Sequence, residues 1–323
     1  FCDDAGRSVV PARAGELRRR MGQVLQRTLR RQAQPFLDQP FVDRSARLFQ
    51  YAMSDDERAL YDDVTDYVMR PGTVAFSGNS RTLLRILLHR QMASSSAALA
   101  SSLETIARRL DKLLHDQPLG RDDLDRLIRE FDDDDLADSV TDDEETPDSA
   151  PPEVILAELD EITGFIETAR ALPADSKAGA LLQAVDLTFA RGDAGDGSGK
   201  LVVFTESLVT QEYLRDLLLE HGVASDHITL FRGDNRSPRA DQALARWETE
   251  CAAALPQAHW PPPNIAVRLA LVHEFRTRSR IFISSEAGAK GLNLQFCDTV
   301  VNYDLPWNPQ RIEQRIGRCH RYG

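Results

Sequence analysis

IFISSEAGAKGLNLQFCDTVVNYDLPWNPQRIEQRIGRCHRYG, residues 281–323, places two apolar runs, a glycine-bearing loop and an arginine-dense helix in close succession. IFIS at 281–284 and TVVNY at 299–303 are short and continuously apolar, which suits strands buried on both faces of a parallel sheet. Further back, LVVFT at 201–205 and ITLF at 228–231 repeat the pattern, with helical spacing through Leu208–Glu220 and Ala240–Glu250 between them. Strands alternating with helices predict an open α/β lobe, a parallel sheet with helices on both faces. Ligands of such lobes sit at the carboxyl ends of the strands, so the loops after Thr205, Phe231, Ser284 and Tyr303 are the candidate site. Residues 251–265, CAAALPQAHWPPPNI, break the alternation and read as an insertion.

Within that stretch, Gly288 and Gly291 allow backbone to approach a ligand closely at a strand's carboxyl end, although glycine in a tight turn is ordinary. Asn308-Pro309 starts a helix. At 3.6 residues per turn, Ile312, Ile316 and Cys319 share an apolar face, while Arg311, Gln314, Arg315, Arg318 and Arg321 crowd the other side. Like charges at this spacing repel, and only Glu313 supplies acid nearby. The arrangement is either a solvated arginine face or a surface for a polyanion such as a triphosphate; the fixed fork of Arg favours the second.

Outward from this region the texture changes. Two amphipathic helices, near 154–171 and 176–190, lead to a glycine-rich stretch at 192–199 that reads as a flexible loop. GDGSGK at 195–200 imitates a phosphate-binding loop, but Ala194 stands where its first glycine belongs, Leu201 replaces Ser/Thr, and it precedes a strand. Residues 131–153 carry eleven acidic and no basic side chains and end at Pro151-Pro152, the composition of a solvated acidic linker that packs against nothing. Asp143-Glu144-Glu145 belongs to that linker, since no apolar strand precedes it.

Residues 1–130 read as mostly helical. ELRRRMGQVLQRTLRRQ at 16–32 is a basic amphipathic stretch, best taken alone as a solvated face. Ser54-Asp55-Asp56-Glu57 forms a capping box ahead of a helix that Pro71-Gly72 ends. Leu99, Leu103, Ile106, Leu110 and Leu114 make a core-facing stripe.

The chain of 323 residues has 39 Lys+Arg against 51 Asp+Glu, a formal charge of −12, yet without residues 131–153 the totals are 39 and 40. The acidic balance therefore does not exclude a nucleic-acid partner, because the local field of a groove binds phosphate. The four cysteines stand far apart, which argues against a disulfide framework or zinc site, and no apolar run is long enough for a membrane helix. A soluble protein of a reducing cytoplasm is expected.

QRIGRCHR at 314–321 resembles motif VI of superfamily-two helicases and translocases, and SSEAGAKGLNLQ at 284–295 resembles their motif V. DLPWNP at 304–309 followed by EQRIGRCHRYG is similar to the Swi/Snf-related translocases, in particular their RapA/HepA-like bacterial branch. KLVVFTES at 200–207 resembles motif IV, and LFRGDNRSPR at 230–239 the block after it. QRTLRRQ and SDDERALYDDV resemble the region such proteins carry between their two lobes.

The resemblance implies a C-terminal RecA-like lobe over residues 154–323, a linker at 131–153 and a helical connecting region over 1–130. It implies ATP and Mg²⁺ as cofactors, with the metal held mainly by a first lobe that this chain lacks, so that the chain alone is expected to be inactive. By position, Arg318 and Arg321 match the arginine fingers, and Gln314 and Arg315 their polar neighbours. Gly291 and Asn293 match positions near the nucleotide; Ser285 and Gly288 match contacts to a nucleic-acid backbone, and Thr205, Arg232 and Gly233 are candidate phosphate contacts. Trp307 either stacks at the duplex groove or packs under the motif VI helix. The first residue, Phe1, and the stop at Gly323 inside the arginine motif read as the ends of a cut piece. The expected function is ATP-driven translocation on double-stranded DNA. The competing readings are a RapA-like ATPase acting on RNA polymerase or RNA, and a non-catalytic nucleic-acid-binding module.

Overall fold

A computed structural model describes residues 10–24, 44–76, 81–115, 117, 127–128, 130, 150–173, 175–251, 260–286, 288, 291–306 and 308–319. The chain divides into a small unit, residues 1–46 with 321–323, and a large one, residues 47–320. In the small unit a 3₁₀ turn, Pro11–Arg13, leads into α1 (Ala14–Val24), where Arg20 and Glu16 pair at 2.5 Å. Most of the acidic run, residues 131–149, lies outside the described residues, as do 25–32 of the basic stretch.

The large unit opens with helices that form one apolar cluster. In α2 (Asp55–Met69) the capping box closes as the sequence predicts: Ser54 Oγ accepts from Glu57 N–H at 3.2 Å and Glu57 Oε2 from Ser54 N–H at 2.7 Å. Following are α3 (Arg81–Ser94), α4 (Ser96–Leu114) and α5 (Pro152–Ala171). Leu99, Leu103, Ile106 and Leu110 of α4 are buried against Leu60, Val64, Ile155 and Ile162, so the leucine stripe is core. Glu158 of α5 enters this cluster as a buried carboxylate satisfied by Tyr67 Oη–H at 2.8 Å and by the amides of Val74 and Ala75 at 2.8 and 3.0 Å. Of the two helices expected to lead into the sheet, the first is therefore part of the helical cluster.

The second, α6 (Ser176–Asp193), packs on the sheet. The strands β1 (Leu201–Phe204), β2 (Ile228–Phe231), β3 (Ile281–Ser284) and β4 (Thr299–Asn302) run parallel in the order β2-β3-β1-β4. Leu201 pairs with both Ile281 and Thr299, so β1 and β3 are central and wholly buried, which is why their sequences show no polar alternation. Their side chains still alternate between two cores. Leu201, Val203, Ile281 and Ile283 meet α6 and α7 (Leu208–Glu220), whereas Val202, Phe204 and Phe282 meet α8 (Pro238–Glu250) and α9 (Pro263–Thr277). This is a RecA-like α/β lobe preceded by a mostly helical region. The break at 251–265 separates α8 from α9, which reaches the same core through Ala266, Ala270, Leu271 and Phe275; residues 252–259 lie outside the described ones.

The glycine-rich stretch before β1 is a pinned turn instead of a flexible loop. Ser198 donates to Asp298 from its amide and its hydroxyl, both at 2.8 Å, and Gly195 and Gly199 adopt φ of 79° and 64°. Burial would raise the Asp298 carboxyl, but the donors from Ser198 and Thr299 outweigh it and hold the group below its ordinary range. Lys200 faces no phosphate: its Nζ donates to the carbonyls of Phe275 and Ser279 at 2.9 and 2.5 Å.

Candidate functional site

At the carboxyl ends of β1 and β4 the two halves of the large unit meet around Asp304. Its Oδ2 accepts from Thr205 Oγ1 at 2.7 Å, Ser94 Oγ at 2.8 Å and Glu206 N–H at 2.9 Å; its Oδ1 takes Lys177 Nζ at 2.6 Å. Burial alone would push this carboxyl up, yet the Lys177 charge and hydrogen bond, with the donors from Thr205 and Glu206, hold it below the usual carboxylate range. Lys177 also reaches the carbonyls of Ala93 and Ser94 and lies 4.1 Å from the Tyr303 ring centroid. Thr205 is thus wholly buried, with its hydroxyl directed to Asp304. A second junction lies nearby, where Arg90 of α3 pairs with Glu206 at 2.7 Å.

The loop after β3 is built by close backbone approach. Ser285 N–H donates to Phe231 O at 3.0 Å, and Ser285 Oγ accepts from Gly288 N–H at 3.3 Å. A Cβ on Gly288 would lie 2.9 Å from Phe231 Cδ1 and 3.1 Å from both Phe231 O and the Arg232 carbonyl carbon, so no side chain fits there. Arg268 of α9 donates to Gly288 O at 2.7 Å. Gly291 has φ of 82° and is exposed, and Asn293 is exposed with its Oδ1 accepting from Gln295 N–H at 3.4 Å. Leu292 and Leu294 turn into the core and anchor the loop's far end.

After β2, Arg232 is held by Gln211 Oε1 at 2.5 Å and by Glu212, while its amide donates to Asn235 Oδ1 at 2.8 Å. Gln211 is fully buried and donates to the carbonyls of Phe231 and Ile283 at 3.0 and 2.7 Å, bracing the ends of β2 and β3. Gly233 is exposed beside them.

Helix α10 (Pro309–Cys319) begins where Asn308 Oδ1 accepts from Gln310 N–H at 2.9 Å. Gln314 is exposed, and Arg318 is half-buried. Arg315, expected on the same cationic face, instead points inward and is 1% exposed. Its Nε and Nη2 donate to Glu286 Oε2 at 2.9 and 2.5 Å, and its Nη1 donates to Asn302 Oδ1 at 3.2 Å and to Asp304 O at 2.7 Å. Trp307 and Arg321 lie outside the described residues.

The structure thus brings Thr205, Ser285, Gly288 and Arg315 to the carboxyl edge of the sheet, with Gly291, Asn293, Gln314 and Arg318 on the elements flanking it. The sequence reading passed over Asp304, Lys177, Gln211 and Glu286. Asp304 had a signal, a carboxylate directly after an apolar strand; Lys177 and Gln211 sit on helices whose periodicity gives no hint of their partners. Arginine and amide side chains of this edge are of the types that suit phosphate oxygens. Among the described residues, no group of three or more His, Cys, Asp or Glu side chains is placed to hold a metal ion. Among those residues, too, no helix is long and apolar enough to cross a membrane.

Residues 264–323 match the helicase conserved C-terminal domain. The match takes in α9, β3, β4 and α10, the elements that carry the loop and the arginine helix. The uncharacterized ATP-dependent helicase YqhH of Bacillus subtilis is 35% identical over 164 residues, 51% of this chain and 22% of that protein. The chromatin-remodeling ATPase INO80 is 48% identical over 59 residues in Eremothecium gossypii and 44% over 63 in Drosophila melanogaster, 17% and 19% of this chain. The chain therefore spans 22% of the length of the first relative and 4% of each of the other two.

Proposed function

We propose that this chain is the C-terminal motor half of an ATP-dependent double-stranded DNA translocase related to the Swi/Snf class. A single observation carries the reading: an arginine-bearing helix, α10, is hydrogen-bonded to a glycine loop at the carboxyl edge of a parallel sheet, within the segment that matches the helicase C-terminal domain. ATP supplies the transferable phosphoryl group. Arg318, with Arg321, stabilises charge on that group from across a cleft, and Gln314, Gly291 and Asn293 line the nucleotide side. Ser285 and Gly288 shape from within the loop that faces a phosphate strand, with Arg232 and Gly233 on the neighbouring loop; Thr205 supports them from below through Asp304. Mg²⁺ and the remaining nucleotide contacts come from a first lobe in the same protein.

The test is ATP turnover by a polypeptide that joins this chain to its first lobe, with no nucleic acid, duplex DNA, single-stranded DNA, RNA or RNA polymerase, beside Arg318→Ala. Removing an arginine finger lowers turnover by about 10³-fold or more. Stimulation by duplex DNA that Arg318→Ala abolishes is the expected outcome. Stimulation only by RNA or RNA polymerase would move the assignment to a RapA-like activity, and a folded protein without turnover would leave a binding module.

A further inference from the structure

We propose that Arg315 and Glu286 are paired positioning residues that make the loop after β3 and helix α10 move as one piece, and that Arg315 does not bind the nucleotide. The proposal rests on the motor reading above and deepens it by naming the link between its nucleic-acid side and its nucleotide side.

Most of the donor capacity of the Arg315 guanidinium is already committed. Of its five N–H groups, the structure commits one from Nε, one from Nη2 and both from Nη1, to Glu286, Asn302 and Asp304. The side chain is 1% exposed and that of Glu286 is 12% exposed. Its Cζ lies 5.2 Å from the centroid of the Phe204 ring, which closes one face of the guanidinium. A nucleotide that took the fork of Arg315 would break a buried ion pair and leave the Glu286 carboxylate uncompensated.

A second pin completes the geometry. Leu294 N–H donates to Arg318 O at 2.9 Å, one helical turn beyond Arg315. The loop from Glu286 to Leu294 is thus fastened to α10 at both ends, at residues 315 and 318. Gly288 and Ser285 sit at one end of this unit, and Arg318 lies at the other. Contact with a phosphate strand at the loop therefore displaces the helix that carries Arg318, because Glu286 and Leu294 both tie the loop to that helix. Glu286 and Arg315 are the charged half of that fastening, and Asp304 O extends it to the Lys177 junction.

The experiment compares Glu286→Gln, Arg315→Lys, Arg315→Gln and the double Glu286→Gln/Arg315→Gln in the two-lobed protein. A misplacement of about 1 Å at a catalytic group costs roughly 100-fold in rate, so each glutamine variant should lower the DNA-stimulated turnover number by about 10- to 100-fold. The KM for ATP and the affinity for a fluorescent ATP analogue should stay within about twofold, since no nucleotide contact is lost. The double should lose no more than the worse single, because either change alone opens the same fastening. Arg315→Lys, which keeps the charge, should recover part of the rate. Analogue affinity that falls about tenfold in both Arg315 variants and is unchanged in Glu286→Gln would overturn the proposal, as would losses that simply add.

Amide hydrogen exchange separates this outcome from failure of the motor reading. If the parent protein shows no turnover, the motor reading fails by itself and exchange then judges the pair. Faster exchange in both the loop and α10 in either single variant supports the fastening; faster exchange confined to the mutated segment refutes it. A variant that does not fold leaves the decision to Arg315→Lys and Glu286→Gln, the mildest changes, read the same way.

Discussion

Replacing Asp304 by Asn tests whether the polar junction between the helical cluster and the sheet holds the two together. The side chain keeps its shape but cannot satisfy its surroundings. Oδ2 accepts three donors, from Thr205, Ser94 and Glu206, and Oδ1 takes Lys177. An amide has one acceptor oxygen, so its NH₂ must face either the Lys177 ammonium or the three donors, and both orientations set donor against donor. The pair is buried, with side chains 8% and 17% exposed, so breaking it should cost about 3–5 kcal/mol, toward the lower end because Lys177 keeps the Ala93 and Ser94 carbonyls. With a urea slope of about 2–3 kcal/mol per M, the midpoint should fall by about 1–2 M. In a Lys177→Met background the same Asp304→Asn change should cost about 1–3 kcal/mol less.

Acid adds a second reading of the same site. Asp304 is held low when folded, so its contribution is complete above the ordinary carboxylate value near 4 and disappears as the pH falls through the lower, folded value. Asp304→Asn should accordingly show a shallower loss of stability on acidification. A cost below about 1 kcal/mol, or strict additivity with Lys177→Met, would refute the junction.

Gly288→Ala should destabilise by about 1–3 kcal/mol in thermal melts, because its Cβ would meet the backbone of Phe231 and Arg232. Gly291→Ala meets no neighbour but must adopt φ of 82°, so its cost should be about 1–2 kcal/mol and conformational in origin. Burial, with the Cys319 thiol beside it, pushes the Cys297 thiol well above its usual value, and the thiolate is the reactive form. At pH 8 an alkylating reagent followed by peptide mass mapping should therefore mark Cys251 and Cys319 before Cys297, which becomes reactive only on unfolding.

The strands and the helix starts were legible because their causes are local. A continuous apolar run such as LVVF, or a serine cap such as Ser54 accepting from Glu57 N–H at 3.2 Å, signals its structure within a few residues. The destination of a helix is not local. Helix α5 and helix α6 show similar apolar periodicity, yet α5 joins the helical cluster through Ile155 and Ile162 while α6 packs on the sheet through Leu181 and Val185. Nothing in the spacing of either distinguishes one hydrophobic partner from another.

Arg315 shows the same limit where it matters for chemistry. A helical wheel assigns every arginine of α10 to the polar face, since it scores a charge by its cost in apolar surroundings and knows nothing of what neutralises it. Glu286, 29 residues earlier, removes that cost, and two oxygen acceptors from Asn302 and Asp304 take further donors of the fork. Arg318 has the same side chain three positions later, stays half-buried, and contributes its carbonyl to the loop instead. Two arginines one turn apart on the same helix thus have different surroundings: one is buried against Glu286, and the other stays half-buried. Position in a motif therefore states that an arginine is wanted, and the partners across the fold decide whether it is wanted for its charge on a ligand or for its hold on the protein.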